Sequence, residues 1–289
     1  MELGEAAVVD VVPDESHDPD TCYFCQQSKP VKEEENILSD ELDEDAAVDL
    51  VSTDGLVFKN DAAKLGRALE EQGWKQPLFP VVLSRKLMNG ETELLSCPVV
   101  TAAHHLIPGN AALKKSELYS EGKYLRTDGM AAGNIGYNVN KAENGVWLPG
   151  NYAMRPWGTA GKAFEAKHGV QAQDYADAAM TTAGQFHDAH EEYSDFVLRC
   201  LEKVKEKLDS STTCEHAPKD GEAVAKGNLQ TLISRLDGIS SRMRKMLSKA
   251  ASAAQIKQLW KKNIFTSKFV VNYTSSLKEA ANPLKRKHD

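Results

Sequence analysis

Thr101-Ala-Ala-His104-His105-Leu-Ile-Pro108 is the stretch on which the reading of this chain turns. Two neighbouring histidines followed by Leu-Ile-Pro serve the packing of neither a helix nor a strand. Upstream lie two β-rich runs, residues 78–83 and 91–100, separated by Met88-Asn89-Gly90, whose Asn-Gly pair suits a hairpin turn. The second run leads into the histidines, so they are expected at a strand end. Before the hairpin, Asp61 is placed to cap a helix over residues 62–73, with Leu65, Ala68 and Leu69 on its apolar face and Gly73 ending it.

Downstream, residues 109–161 read as irregular apart from a short helix over 111–119. They include Gly133-Asn-Ile-Gly-Tyr-Asn138-Val-Asn140 and Asn144-Gly-Val-Trp-Leu-Pro149. Glycine and asparagine at this density indicate constrained turns, and a long loop of such particular composition tends to carry function. From Ala172 the pattern reads as helix. Phe186, Tyr193, Phe196, Val197, Cys200, Leu201, Val204 and Leu208 recur at three- and four-residue steps. On that helix His187 and His190, three apart, would share a face. Residues 210–220 break the pattern. A second amphipathic helix follows, with Leu229, Leu232, Ile233, Leu236, Ile239, Met243, Met246 and Leu247 on one stripe and Arg235, Arg242, Arg244, Lys245 and Lys249 opposite.

Composition narrows the classes. The 289 residues are long enough to bury a substantial core, and 41% are hydrophobic. No run of about 18 apolar residues is present, so no membrane insertion is expected. The N-terminus lacks a basic region and an apolar core, so no classical signal peptide is expected either. Five cysteines at scattered spacing make a poor disulfide framework. The net charge of −7 conceals an asymmetry: residues 1–60 carry 17 acids against 3 bases, and residues 225–289 carry 14 bases against 3 acids. The first stretch cannot bury enough surface to order itself. The second suits a polyanion, with Arg242, Arg244, Lys245, Lys261 and Lys262 as candidate phosphate contacts. Within the acidic stretch Cys22-Tyr-Phe-Cys25 is half of a zinc knuckle, and Cys214-Glu-His216 would supply the other half of a structural zinc site.

Ala103-His104-His105, Asn144-Gly-Val-Trp-Leu-Pro149 and the downstream His187-x2-His190-x2-Tyr193 together resemble the AHH nucleases of the HNH/endonuclease VII superfamily, over roughly residues 95–208. One departure is that the two later histidines stand three apart rather than the family's usual four. The resemblance implies an α+β fold, with a treble-clef-like ββα-metal core and a mostly α-helical C-terminal region. It implies His104 as a metal ligand, His105 as the general base that deprotonates water, Asn144 fixing the loop or orienting His105, and His190 and His187 completing the metal shell. Neighbouring strand residues point to opposite sides, so such a division of labour between His104 and His105 is physically reasonable. Tyr193 is expected to pack in the core, and Trp147 and Trp157 to serve as core residues or loop clamps.

The organisation expected is an acidic, largely disordered segment with the CxxC pair (1–60), a nuclease domain (61–209) and a basic helical region (210–289). The function expected is a metal-dependent endonuclease, cutting DNA in preference to RNA with little sequence specificity. Its divalent ion would be Mg, Mn, Ni or Zn. The resemblance further implies a toxin of interbacterial competition, delivered from the producing cell's cytoplasm into a target cell, for example by type VI secretion, through an adaptor or spike, and neutralised by a cognate immunity protein. Two alternatives remain: a non-enzymatic zinc-binding interaction protein, and an RNase of the same fold.

Overall fold

The hairpin forms where the two β-rich runs place it. The computed structural model describes residues 60–119, 137–150, 165–166, 168–188, 191–210, 226–248 and 264–280. Strand β1 (Leu78–Lys86) pairs antiparallel with β2 (Thr92–His105), Leu78 opposite Val100 and Lys86 opposite Thr92. At the turn the Leu87 N–H donates to the Glu91 carbonyl (2.8 Å), and Gly90 adopts a φ of +85° that glycine alone takes without strain. β2 runs past residue 100 to His105, so both histidines are strand residues. A third strand, β3 (Gly145–Pro149), gives the order β1-β2-β3. It is the Gly-Val-Trp-Leu-Pro run that reads as loop in the sequence. The Gly150 N–H meets the Val100 carbonyl and the Leu106 N–H meets the Asn144 carbonyl, so β3 runs antiparallel to β2.

One face of the hairpin builds a core. Val81 and Leu83 of β1 and Cys97 and Val99 of β2 are buried. On them packs α2 (Ala172–Ala183), through Ala172, Tyr175, Ala176, Ala179 and Met180. The Tyr175 hydroxyl donates to the Pro98 carbonyl (3.0 Å). Phe265 and Val270, the latter on α5 (Lys268–Ala280), complete the cluster. Each large apolar side chain so buried contributes about 1.5–3 kcal/mol.

α1 (Ala62–Glu71) begins as its sequence dictates, since Asp61 Oδ1 accepts the N–H groups of Ala63 and Lys64, and Leu65 and Leu69 are buried. The segment at 111–119 holds only a short 3₁₀ turn, Leu113–Lys115. The helix read onward from Ala172 is two helices, α2 and α3 (Glu191–Ser210). The break falls at Gly184, with φ +91°, where a Cβ would run into the Leu247 carbonyl and the Ser248 backbone. His187 therefore lies between helices rather than on one. α4 (Lys226–Leu247) buries Leu232, Leu236, Ile239, Met243 and Leu247, as its periodicity requires.

The described residues group into two compact units that alternate along the chain. One takes the described part of Met1–Leu65, with His105–Asn144 and Ser194–Met243. The other takes Gly66–His104, Gly145–Tyr193 and Arg244–Asp289. One of the points where the chain passes between them is the peptide bond joining His104 to His105. Cys97 and Cys200 are buried thiols, and burial raises the pKa of both.

Gly184→Ala is expected to cost more than about 2 kcal/mol, because left-handed strain and backbone overlap add together; a denaturant midpoint unchanged from the parent would contradict this. Asp177, half-buried on α2, accepts a hydrogen bond from Gln173 Nε2 (2.6 Å). Burial raises its carboxyl above the ordinary value, the Gln173 bond opposing and Asp174 adding to the rise. A raised folded-state pKa favours folding only in acid, and that contribution is lost as pH rises through the folded value. Asp177→Asn should therefore melt above the parent at neutral pH, and the difference should close by about pH 3, below the carboxylate range.

Candidate active site

In the first unit the site is built on the turn Asn138–Asn144. The Asn138 carboxamide oxygen accepts the Asn140 N–H (2.8 Å), a local Asx turn that aims the Asn140 side chain. Asn140 Oδ1 lies 2.8 Å from Nε2 of the buried His105 and also accepts the Asp61 N–H (2.9 Å). Asn144 is fully buried. Its Oδ1 accepts the Ile107 N–H (2.7 Å) and the Ser240 hydroxyl (3.1 Å), while its Nδ2 donates to the carbonyls of Ile107 (2.9 Å) and Val139 (2.8 Å). Of the two tasks expected of Asn144, its own atoms carry out the fixing of the loop; the carboxamide at His105 belongs to Asn140. The missed residue had a signal in the sequence, the Asn138-Val-Asn140 spacing of an Asx turn.

Helix α4 anchors this turn. Asp237 forms an ion pair with Lys141 (2.7 Å), one helical turn from Ser240. The Lys141 ammonium stands 4.6 Å from the centre of the buried Tyr137 ring. Burial first, then the negative charge of Asp237, keeps the Tyr137 hydroxyl protonated well above its ordinary range.

In the second unit, the buried His104 ring meets His187 edge-on with centroids 4.6 Å apart, and Tyr193 with centroids 5.0 Å apart. Tyr193, fully buried in the first turn of α3, packs against His104. His187 is held by backbone pairing, its N–H donating to the Pro149 carbonyl (2.6 Å) beside a bridge to Gly150. The segment Ile264–Ser267 clasps the residues around it. Thr266 Oγ1 and Ser267 Oγ both donate to the Phe186 carbonyl, the Asp188 N–H donates to the Thr266 carbonyl, and Gln185 bonds Thr266 and Ile264.

Arg244, expected among the phosphate contacts, is instead tied into the fold. Its guanidinium lies 4.3 Å over the Trp74 ring and its Nε donates to the Gly145 carbonyl (2.9 Å). Trp147 clamps the same corner, its indole N–H donating to the Trp74 carbonyl (2.8 Å). Arg242 and Lys245 are exposed on α4. His190, Cys22, Cys25, Cys214, His216, Trp157, Lys249, Lys261 and Lys262, and the acidic stretch 1–59, lie outside the described residues.

A family model described as a nuclease family of the HNH/ENDO VII superfamily with conserved AHH matches residues 96–236. Over this stretch the chain is similar to the AHH nuclease family. The matched stretch includes His104, His105, Asn140, Asn144, β3, His187 and the first half of α4, Lys226–Leu236. No curated protein and no solved structure matches the chain.

Nucleases of the HNH/ENDO VII superfamily generally use a divalent ion, and the second unit offers two imidazoles toward one. His104 and His187 bring two imidazoles side by side, and imidazole nitrogen suits first-row transition ions. Among the described residues no group of three or more His, Cys, Asp or Glu side chains gathers to hold a metal. The two rings would supply part of a shell and leave positions for water and phosphate oxygen, as catalysis requires.

Asn144→Ala should destabilise the protein by about 3 kcal/mol or more, since it strands an N–H, two carbonyls and a hydroxyl in a buried place. Denaturant unfolding checks this, and a loss below about 1 kcal/mol would mean that other groups close the loop.

Proposed function

We propose that this chain is a metal-dependent endonuclease that hydrolyses phosphodiester bonds on a ββα-metal core, with DNA as its main substrate. The observation that carries the reading is His105, a buried imidazole held by one carboxamide inside the stretch that matches the AHH nucleases. In the proposed reaction the His105 ring takes the proton of the attacking water, a step suited to an imidazole near neutral pH. Asn144 holds Ile107, two residues beyond His105, so the backbone carrying the base does not shift during transfer. His104 and His187 would hold the divalent ion, Tyr193 backing the His104 ring. When bound, that ion supplies charge stabilisation for the phosphate and leaving oxygens.

The biological reading proposed is a toxin of interbacterial competition, made in the cytoplasm of the producing cell, delivered to a target cell and neutralised by an immunity protein. It is supported by the nuclease-family match and by the basic region at residues 225–289, which suits nonspecific contact with phosphates.

The test is incubation of the purified chain with plasmid DNA and with RNA across Mg²⁺, Mn²⁺, Ni²⁺, Zn²⁺ and a chelator. DNA cleavage should need the cation, and His105→Ala should slow it by roughly 10²–10⁴-fold, the usual worth of a general base. Cells expressing the parent should be harmed and cells expressing folded His105→Ala spared. Full cleavage by the folded variant would remove His105 from the mechanism, and preferential loss of RNA would make the chain an RNase.

A further inference from the structure

The two hydrogen bonds that meet at Asn140 Oδ1 decide a proton position. A backbone N–H can only donate, so the Asn140 atom facing the Asp61 nitrogen at 2.9 Å is the carboxamide oxygen and not its NH₂ group. The same oxygen faces His105 Nε2 at 2.8 Å. A carboxamide oxygen has no proton to give, so the proton between them sits on Nε2. In the neutral ring the lone pair is then on Nδ1.

We propose that Asn140 and the backbone N–H of Asp61 are a positioning pair that holds His105 as its Nε2–H tautomer, so that Nδ1 is the nitrogen that accepts the proton of water. The proposal rests on the reading of His105 as general base. It brings into the machinery a residue outside the matched stretch 96–236. Asp61 is the N-cap of α1, its carboxylate engaged by the N–H groups of Ala63 and Lys64. A capping residue's own N–H takes no part in the helix ladder, and here it is directed at Asn140. The preceding residue pins the same corner, Asn60 Oδ1 accepting the Gly109 N–H (2.8 Å). The helix start therefore orients the carboxamide, and the carboxamide orients the base. A base in the wrong tautomer presents a proton where it should accept one, and misplaced catalytic groups lose rate steeply.

The experiment uses the full chain with histidine imidazoles labelled with ¹⁵N, the His105 signals being those absent from His105→Ala. The expected spectrum of the neutral ring has a protonated Nε2 and an unprotonated Nδ1. Asn140→Ala should move it toward a mixture of tautomers and lower kcat on plasmid DNA by roughly 10²-fold with KM unchanged. Asn140→Asp, which keeps an acceptor oxygen, should restore the tautomer and most of kcat. A protonated Nδ1 in the parent overturns the proposal. So does Asn140→Ala that keeps both the parent tautomer and the parent kcat. Should Asn140→Ala fail to fold, the parent spectrum and Asn140→Asp still decide. If the parent cleaves no nucleic acid the nuclease reading fails separately, and the spectrum continues to test the pairing.

Discussion

One buried carboxamide closes the loop on which the first unit depends. Asn144 satisfies both polar groups of Ile107, the carbonyl of Val139 and the hydroxyl of Ser240. A loop backbone that runs through the interior must find a partner for each N–H and C=O. Four hydrogen bonds from one short side chain do this without a further element of secondary structure. The same clasp fixes the chain just after His105 and just before β3, so the strand that carries the histidines and the strand that flanks it are tied at one residue.

The two histidines are held in different ways, and the difference follows from their surroundings. His104 sits among rings, against His187 and Tyr193. Ring contacts constrain the plane of an imidazole. His105 is held through a nitrogen, by Asn140, which constrains its protonation as well as its plane. The two neighbouring imidazoles therefore meet different surroundings, rings for one and a carboxamide for the other. The segment Ile264–Ser267 takes part in the same economy, holding Phe186 and Asp188 on either side of His187 through hydroxyl and amide bonds. Arg244 shows the converse, a cation whose residue type suggests phosphate and whose partners are Trp74 and Gly145.

The hairpin, the capped helix α1 and the apolar stripe of α4 were legible because each is a local pattern: alternation, a cap followed by a periodic face, and Asn-Gly at a turn. The break at Gly184 was not legible. Apolar spacing continues through Phe186 toward α3, and a glycine within such a pattern is compatible with a helix. What excludes the helix is the Leu247–Ser248 backbone lying where a Cβ would stand, a neighbour about sixty residues away in sequence. Strand β3 was missed for a related reason, since Gly145–Pro149 is too short to show alternation and its pairing partner is β2.

By itself the sequence determined the histidine pair at the end of a hairpin strand, the constrained turn rich in asparagine, and their likeness to a nuclease family. Those are matters of residue type and order, and they survive any arrangement of the remaining chain. Only the tertiary structure decided which asparagine serves which partner. Asn140 and Asn144 are chemically identical and four residues apart, and the local Asx turn at Asn138 marks Asn140 without naming its distant partners. The Asp61 N–H, Ile107 and Ser240 are those partners, each brought from a distant part of the chain, because a buried carboxamide is oriented by the donors and acceptors packed around it.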